Sequence, residues 1–281
     1  MAIGQNRWLP HLVLIVGVVI FAFPIYLAFI GSSHDASTIA RGDMPLTLGP
    51  NLIENYTQAL TNPVGVRVRA TPALTMMRNS LYMALAIVVG KIAISLLSAF
   101  AVVFFEFPGR MFFFWLIFVT LMLPVEVRMI PTYAVVSNLG MVDTFAGLTI
   151  PLIASATATL LFRQHFLTVP DELVDAAQID GAGAMRFFWS VLLPLSRNNI
   201  AALFVIMFIY GWNQYLWPLI VTTGRGQETI VIGIVRMIGS GEAQTDWQLI
   251  MAFTMLALIP PVTIIILMQR WFVKGLVDAE K

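Results

Sequence analysis

Long uncharged apolar runs set the first limit on what this chain can fold into. Trp8 to Ser33 holds no titratable group except His11, and Asn79 to Phe105 is interrupted only by Lys91. Met111 to Val125 is followed, past Glu126 and Arg128, by a further uncharged stretch. Thr144 to Phe162, Asn198 to Gly224 and Trp247 to Gln269 complete the set. A hydrocarbon core about 30 Å thick is crossed by roughly 20 apolar residues at 1.5 Å rise per residue. The pattern predicts an all-α membrane protein with six transmembrane helices, both termini on one side, forming a single transmembrane domain over residues 1–281. The third run is the shortest of the six. Composition agrees, with 59% hydrophobic and 11% charged residues, against a usual charged share of roughly 25%.

Arg7 before the first run resembles the start of a secretory signal. The uncharged core is longer than the 7–15 residues of a signal, and no small-x-small cleavage site follows. An uncleaved first helix is expected. A net charge of +1 argues against a nucleic-acid partner. The absence of cysteine excludes disulfides, thiolate metal sites and a cysteine nucleophile. His11, His34 and His165 are scattered and suggest no metal site.

Positive charge does not orient the bundle. With the N-terminus inside, Arg7, Arg110, Arg163, Arg186, Arg197, Arg270, Lys274 and Lys281 share its side. Arg41, Arg67, Arg69, Arg78, Arg128, Arg225 and Arg236 fall opposite, so the rule is near balance. The loops are more informative. Ser33–Arg78, Arg163–Arg197 and Arg225–Asp246 are long, and the other connections are short.

The middle loop, 163–198, has a helix-turn-helix pattern. Pro170 suits a first helical turn, and Asp171 and Glu172 suit its positive end. Leu173, Ala176 and Ala177 predict one narrow apolar face. Gly181 can take a positive φ and end the helix sharply. Met185, Phe188, Trp189 and Leu192 then recur at helical spacing before Pro194. Small alanines on an exposed helix let another protein approach closely. Spacing alone leaves two alternatives, a docking knob or an amphipathic helix on the headgroups.

This loop resembles the cytoplasmic EAA coupling loop of ATP-driven, binding-protein-dependent import permeases. Ala176, Ala177, Gly181, Val191, Leu193 and Pro194 match its offsets, with Asp175 in place of the usual glutamate. Phe162-Arg163-Gln164, Asp180-Gly181-Ala182 and Trp212-Asn213-Gln214-Tyr215-Leu216-Trp217-Pro218 resemble the carbohydrate-type branch. Leu123 to Arg128 and the ending Gly275 to Lys281 resemble the sn-glycerol-3-phosphate permeases within it. The resemblance implies the type I importer permease fold, with termini and EAA loop cytoplasmic. It implies ATPase-coupling roles for Asp175, Ala176, Ala177, Asp180, Gly181, Leu193 and Pro194. It also implies four companions in function: a homologous second permease, two copies of a cytoplasmic ATPase, a periplasmic substrate-binding protein and the lipid bilayer. No cofactor is then expected on this chain, with ATP and magnesium used by the partner ATPase. The chain has no Gly-x-x-x-x-Gly-Lys-Ser/Thr cradle for a nucleotide, since Gly90-Lys91 runs on into Ile92.

Several polar residues lie inside apolar runs and are candidates for a translocation path. Lys91 sits midway along the second run, where a charge costs roughly 2.5–3.5 kcal/mol on insertion scales. It either faces a cavity that attracts an anion or pairs with a neighbouring helix. Glu126 and Arg128 lie between Pro124 and Pro131, about 24 Å of helix beyond Arg110. An Arg fork suits phosphate, and a fixed intersubunit salt bridge is the alternative. Trp212, Asn213, Gln214 and Tyr215 put amides and rings within the fifth span, as cavity lining or as hydrogen bonds between helices.

Three function classes follow: an importer permease, a stand-alone secondary transporter, and an integral membrane enzyme. The second usually has more helices or an internal repeat. The third needs a catalytic cluster that the sequence lacks. The expected cargo is sn-glycerol 3-phosphate or a related glycerophosphodiester, with a neutral sugar or oligosaccharide as the alternative.

Overall fold

All regular structure among the described residues is helical in the computed structural model, which describes residues 8–42, 44–61, 71–224, 226–238 and 246–278. Arg7, Arg67, Arg69, Arg225 and Lys281 lie outside these residues, as do residues 43, 62–70 and 239–245 of the loops.

Along the chain, α1 (Trp8–Gly31) is followed by the short α2 (Ala36–Ala40) and by α3 (Leu52–Thr61). Then come α4 (Ala73–Phe104), α5 (Arg110–Val119), α6 (Val125–Asn138), α7 (Phe145–Thr149) and α8 (Ala156–Phe166). The middle loop holds α9 (Asp171–Ile179), α10 (Ala184–Phe187) and α11 (Leu193–Leu195). The chain continues through α12 (Arg197–Trp212), α13 (Leu216–Val221), α14 (Ile230–Ile238) and α15 (Trp247–Asp278).

By length and apolarity, Trp8–Gly31, Ala73–Phe104 and Trp247–Trp271 can each cross a bilayer unbroken. Two bent pairs raise the number to five if each is one span: 145–152 with 156–166 at 45°, and 184–195 with 197–212 at 73°. The run expected as the third span differs. In place of one helix over Met111 to Val125, α5 stops after ten residues, about 15 Å. A 3-10 turn (Thr120–Met122) and an extended Leu123 follow. Pro124 explains the break, because proline lacks an N–H and pushes the residue before it out of the helical region. The fifth run is broken too, between α12 and α13. Pro218 could not donate to the carbonyl of Gln214, so an unbroken helix across Asn213–Tyr215 would lose that bond and clash there.

Two compact units can be described separately, Met1–Met77 with Ile230–Ile259 and Arg78–Thr229 with Pro260–Lys281. In the first, α1 is apolar all round yet buries only Ile30 and Gly31, and Phe21 is 80% exposed. Such a surface suits lipid or another apolar protein face, not water. The end of α1 is held by polar contacts. The side-chain amide of Asn55 on α3 donates to the carbonyls of Ser32 and His34, at 2.9 and 2.8 Å. Gly31 lets the Met251 side chain lie close against the end of α1, where a Cβ would stand 2.3 Å from its sulfur.

The core of the second unit is aromatic and aliphatic. Val88, Ile92, Leu96 and Phe100 of α4 pack with Phe162 and Phe166 of α8, Phe187, Phe188 and Leu192 of the middle loop, and Leu203 and Met207 of α12. Phe100 and Phe188 approach to 5.0 Å and Phe104 and Phe187 to 5.4 Å, within the range of favourable ring pairs. A smaller cluster joins Met83, Ile87, Val136, Leu148, Trp217 and Val221. The Trp217 indole donates to the carbonyl of Gly147 at 3.0 Å, so this buried ring satisfies its N–H. Gly211 brings α12 against α4, where a Cβ would meet the Cα of Ala84 at 3.0 Å.

Candidate functional site

Two regions of the second unit hold the residues singled out in the sequence. The first is a cavity of about 420 Å³ in which apolar and polar walls meet. Lys91 enters from α4, and Glu126, Arg128, Met129 and Thr132 enter from α6. Tyr210 and the unwound stretch Asn213–Tyr215 form the opposite wall. Six residues chosen separately from the sequence (Lys91, Glu126, Arg128, Asn213, Gln214 and Tyr215) therefore line one space. Trp212 does not. It is buried at the end of α12 and stacks on Phe208 at 6.0 Å.

Local chain breaks make this convergence possible. Pro124 starts α6, so Glu126 falls in a first turn and Arg128 follows just inside it. The helix break after Trp212 corrects the expectation that Asn213, Gln214 and Tyr215 lie within a continuous helix. Asn213 caps α12, and the Gln214 side chain folds back to donate to the carbonyl of Tyr210 at 3.1 Å. Unwound backbone at membrane depth is tolerated where it borders protein or a wet cavity.

The electrostatics are unusual for a buried lysine. Lys91 is 6% exposed, and its ammonium lies 3.8 Å from the centre of the Tyr210 ring. Arg128 lines the same cavity. The cavity thus carries two cations and one carboxylate, Glu126, with two amides and two phenols around them. An anion entering it meets an excess of positive charge, the arrangement that offsets anion desolvation. Sequence reasoning missed Tyr210, although it stands three and four residues before Asn213 and Gln214, the spacing that puts groups on one side of a helix. It also missed Asp143. This residue has φ +57°, and its carboxylate accepts from the Thr223 amide, the Thr223 hydroxyl and the Gly224 amide, tying the α6–α7 turn to the end of α13.

The second region is the middle loop. Asp171 and Glu172 occupy the first turn of α9 as expected, with Pro170 one place earlier, as the cap. Gly181 has φ +71°, and the amide of Ala182 donates to the carbonyl of Ala177 at 2.8 Å, closing the turn. The single apolar face expected for Leu173, Ala176 and Ala177 is divided. Ala177 and Val174 pack onto the unit's own core, while Leu173, Ala176 and Ile179 face outward, Ile179 at 86% exposed. The small side chain of Ala177 lets α9 sit close to Phe187 and Phe188, and Ala176 leaves the outer side flat. Asp175 and Asp180 are exposed on that outer side, Leu193 is half-buried and Pro194 exposed. Beyond the turn, Phe188 and Leu192 are buried but Met185 and Trp189 are outward, and Phe188–Leu192 forms a π-helical turn. Such turns occur frequently at functional sites.

Comparison with known proteins agrees over nearly the whole chain. The chain is 58% identical over 276 residues to the sn-glycerol-3-phosphate transport system permease protein UgpE of Brucella melitensis, covering 98% of each. It is 58% identical to the protein of that name in Agrobacterium fabrum, covering 98% of this chain and 97% of the relative. Against that of Yersinia pestis it is 56% identical, with 96% of each covered. Among solved structures it is similar to a bacterial ABC transporter involved in the import of the acidic polysaccharide alginate, with a TM-score of 0.81. That match covers 97% of this chain and 99% of the other at 19% identity, and supports the fold alone. The model of binding-protein-dependent transport system inner membrane components matches residues 91–278. The chain therefore belongs to that family: it is a multi-pass inner-membrane permease subunit that works with other subunits of an importer and is not itself an enzyme.

Proposed function

We propose that this subunit carries sn-glycerol 3-phosphate, or a related glycerophosphodiester, across the inner membrane by alternating access. The observation that carries the cargo is the cavity in which Lys91 and Arg128 meet beside Tyr210, Asn213, Gln214 and Tyr215. The names of the relatives at 56–58% identity support the same substrate. A neutral sugar needs no cation excess in its path. A phosphate ester does, since its charge must be offset in a medium of low dielectric. Lys91→Met and Arg128→Gln should each lower import of labelled glycerol 3-phosphate at least tenfold while the complex still assembles, a loss of about 1.4 kcal/mol or more per site. The measurement is uptake by reconstituted transporter, with maltose as the neutral control. Normal glycerol 3-phosphate uptake by both variants would remove these side chains from the path.

In this reading the chain pairs with a second, homologous permease and with two copies of an ATPase that uses ATP and magnesium, and a periplasmic protein delivers the cargo. The outward side of α9, with Asp175, Ala176 and Asp180, docks in the ATPase, and Leu193 and Pro194 carry its movement into α12. The termini and residues 163–198 are then cytoplasmic, with Ala36–Thr75 and Gly226–Thr245 periplasmic. Because the chain has no cysteine, single introduced thiols can report this directly. Ser37 and Ala184 are both exposed. In whole cells an impermeant thiol reagent should label Ser37→Cys and leave Ala184→Cys unlabelled. The reverse pattern would overturn the orientation and the docking role together.

A further inference from the structure

We infer that Tyr210 is a positioning residue for anion passage, whose ring holds the Lys91 ammonium in the cavity without neutralising it. The inference rests on the proposal that this cavity is the path of a phosphate ester.

A buried ammonium needs a partner, since a bare charge away from water is costly. The usual partner is a carboxylate, and Glu126 lines the same cavity. Yet the contact made by the Lys91 ammonium is with the face of Tyr210, at 3.8 Å. The two solutions differ in what they leave for a passing anion. A carboxylate would cancel the lysine charge, and the cargo would have to displace a fixed anion before meeting it. A ring offers only the negative face of its quadrupole, which stabilises the cation while leaving its full charge directed at the cavity. Lys91 is thus held and still available.

Tyr210 is well placed for this work. It lies in the last turn of α12, 38% exposed at the cavity edge, just before the unwound residues Asn213–Tyr215. The side-chain amide of Gln214 donates to the Tyr210 carbonyl at 3.1 Å, closing the end of that turn. The ring is therefore supported by the same break that opens the cavity. Movement of the α12 end would move the ring relative to Lys91 and change where the cargo meets its charge.

The ring face, not the hydroxyl, is the functional part. In the assembled transporter reconstituted in liposomes, Tyr210→Phe should keep the import rate of glycerol 3-phosphate. Tyr210→Leu should lower it roughly 3- to 30-fold, the range from an exposed to a desolvated cation–ring contact. In a Lys91→Met background Tyr210→Leu should cause no further loss, because the ring acts through the lysine. A graded series guards against a Leu variant that fails to assemble. Phenylalanines bearing one, two or three ring fluorines at position 210 keep the shape but drain the ring face, and import should fall with each fluorine. A flat fluorine series overturns the inference, as do equal losses in Tyr210→Phe and Tyr210→Leu, or additive losses with Lys91→Met. Those outcomes leave the path itself standing if Lys91→Met alone still impairs import. Full import by Lys91→Met alone would also overturn the inference, whereas full import by both Lys91→Met and Arg128→Gln would remove the proposal on which it rests.

Discussion

Gly147→Ala should sharply lower accumulation of the folded subunit. A Cβ at this position would lie 2.1 Å from the carbonyl oxygen of Met141, a backbone atom with little room to retreat. That turn is fixed from both sides: the Met141 amide donates to the carbonyl of Val136 at 2.9 Å, and the Thr144 hydroxyl donates to the Met141 carbonyl at 2.7 Å. Relief must come from moving α7 away, which pulls the Gly147 carbonyl from the buried indole of Trp217. Overpacking of this kind, with an orphaned buried donor, costs about 3 kcal/mol or more. Most soluble domains have only 5–15 kcal/mol to lose. The yield and thermal stability of the detergent-solubilised variant, followed by size-exclusion chromatography, measure the effect. A Gly147→Ala subunit as stable as the parent would show that the turn yields and that the close approach is not required.

Gly181→Val should uncouple the transporter while the membrane helices still insert. Nothing lies within 4 Å of a Cβ at position 181, so the effect is confined to the backbone. With φ at +71°, a β-branched residue pays about 1–3 kcal/mol for the left-handed conformation. The cheapest escape is to open the Asp180–Gly183 turn and release the Ala182–Ala177 hydrogen bond that orients α9. If α9 docks as proposed, a knob that has lost its angle cannot follow the ATPase. Import should fall at least tenfold, and substrate-stimulated ATP hydrolysis should fall with it. Gly181→Asn, whose side chain tolerates this conformation, should restore most of both. Normal import and normal stimulated hydrolysis in Gly181→Val would exclude the turn from coupling.

Whatever depends on a residue and its near neighbours was legible along the chain. Apolar runs marked most of the membrane helices, since a hydrocarbon solvent leaves the backbone few options. Asp171 and Glu172 marked the start of α9 through the helix dipole, and Gly181 its end through the one conformation that a Cβ opposes. Pro124 and Pro218 also carried the breaks after α5 and α12, although the apolar text around them pointed to unbroken spans. The isolated charges Lys91, Glu126 and Arg128 announced themselves as candidates because lipid makes such residues expensive.

Which groups share a space follows instead from the packing of distant helices. That Lys91 lies over Tyr210, more than a hundred positions away, follows from the approach of α4 to α12 at Gly211 and Ala84 and not from any local pattern. The division of Ala176 from Ala177 is of the same kind. Periodicity placed both on one side of α9, but the core supplied by Phe187 and Phe188 covers one and leaves the other outward. Trp212, polar at its tip and chosen with its neighbours, is instead the last residue of α12 and is buried against Phe208. Local preferences are set by backbone sterics and capping, which short sequence windows contain. Burial and charge pairing depend on distant elements, and a single chain read along its length does not contain their geometry.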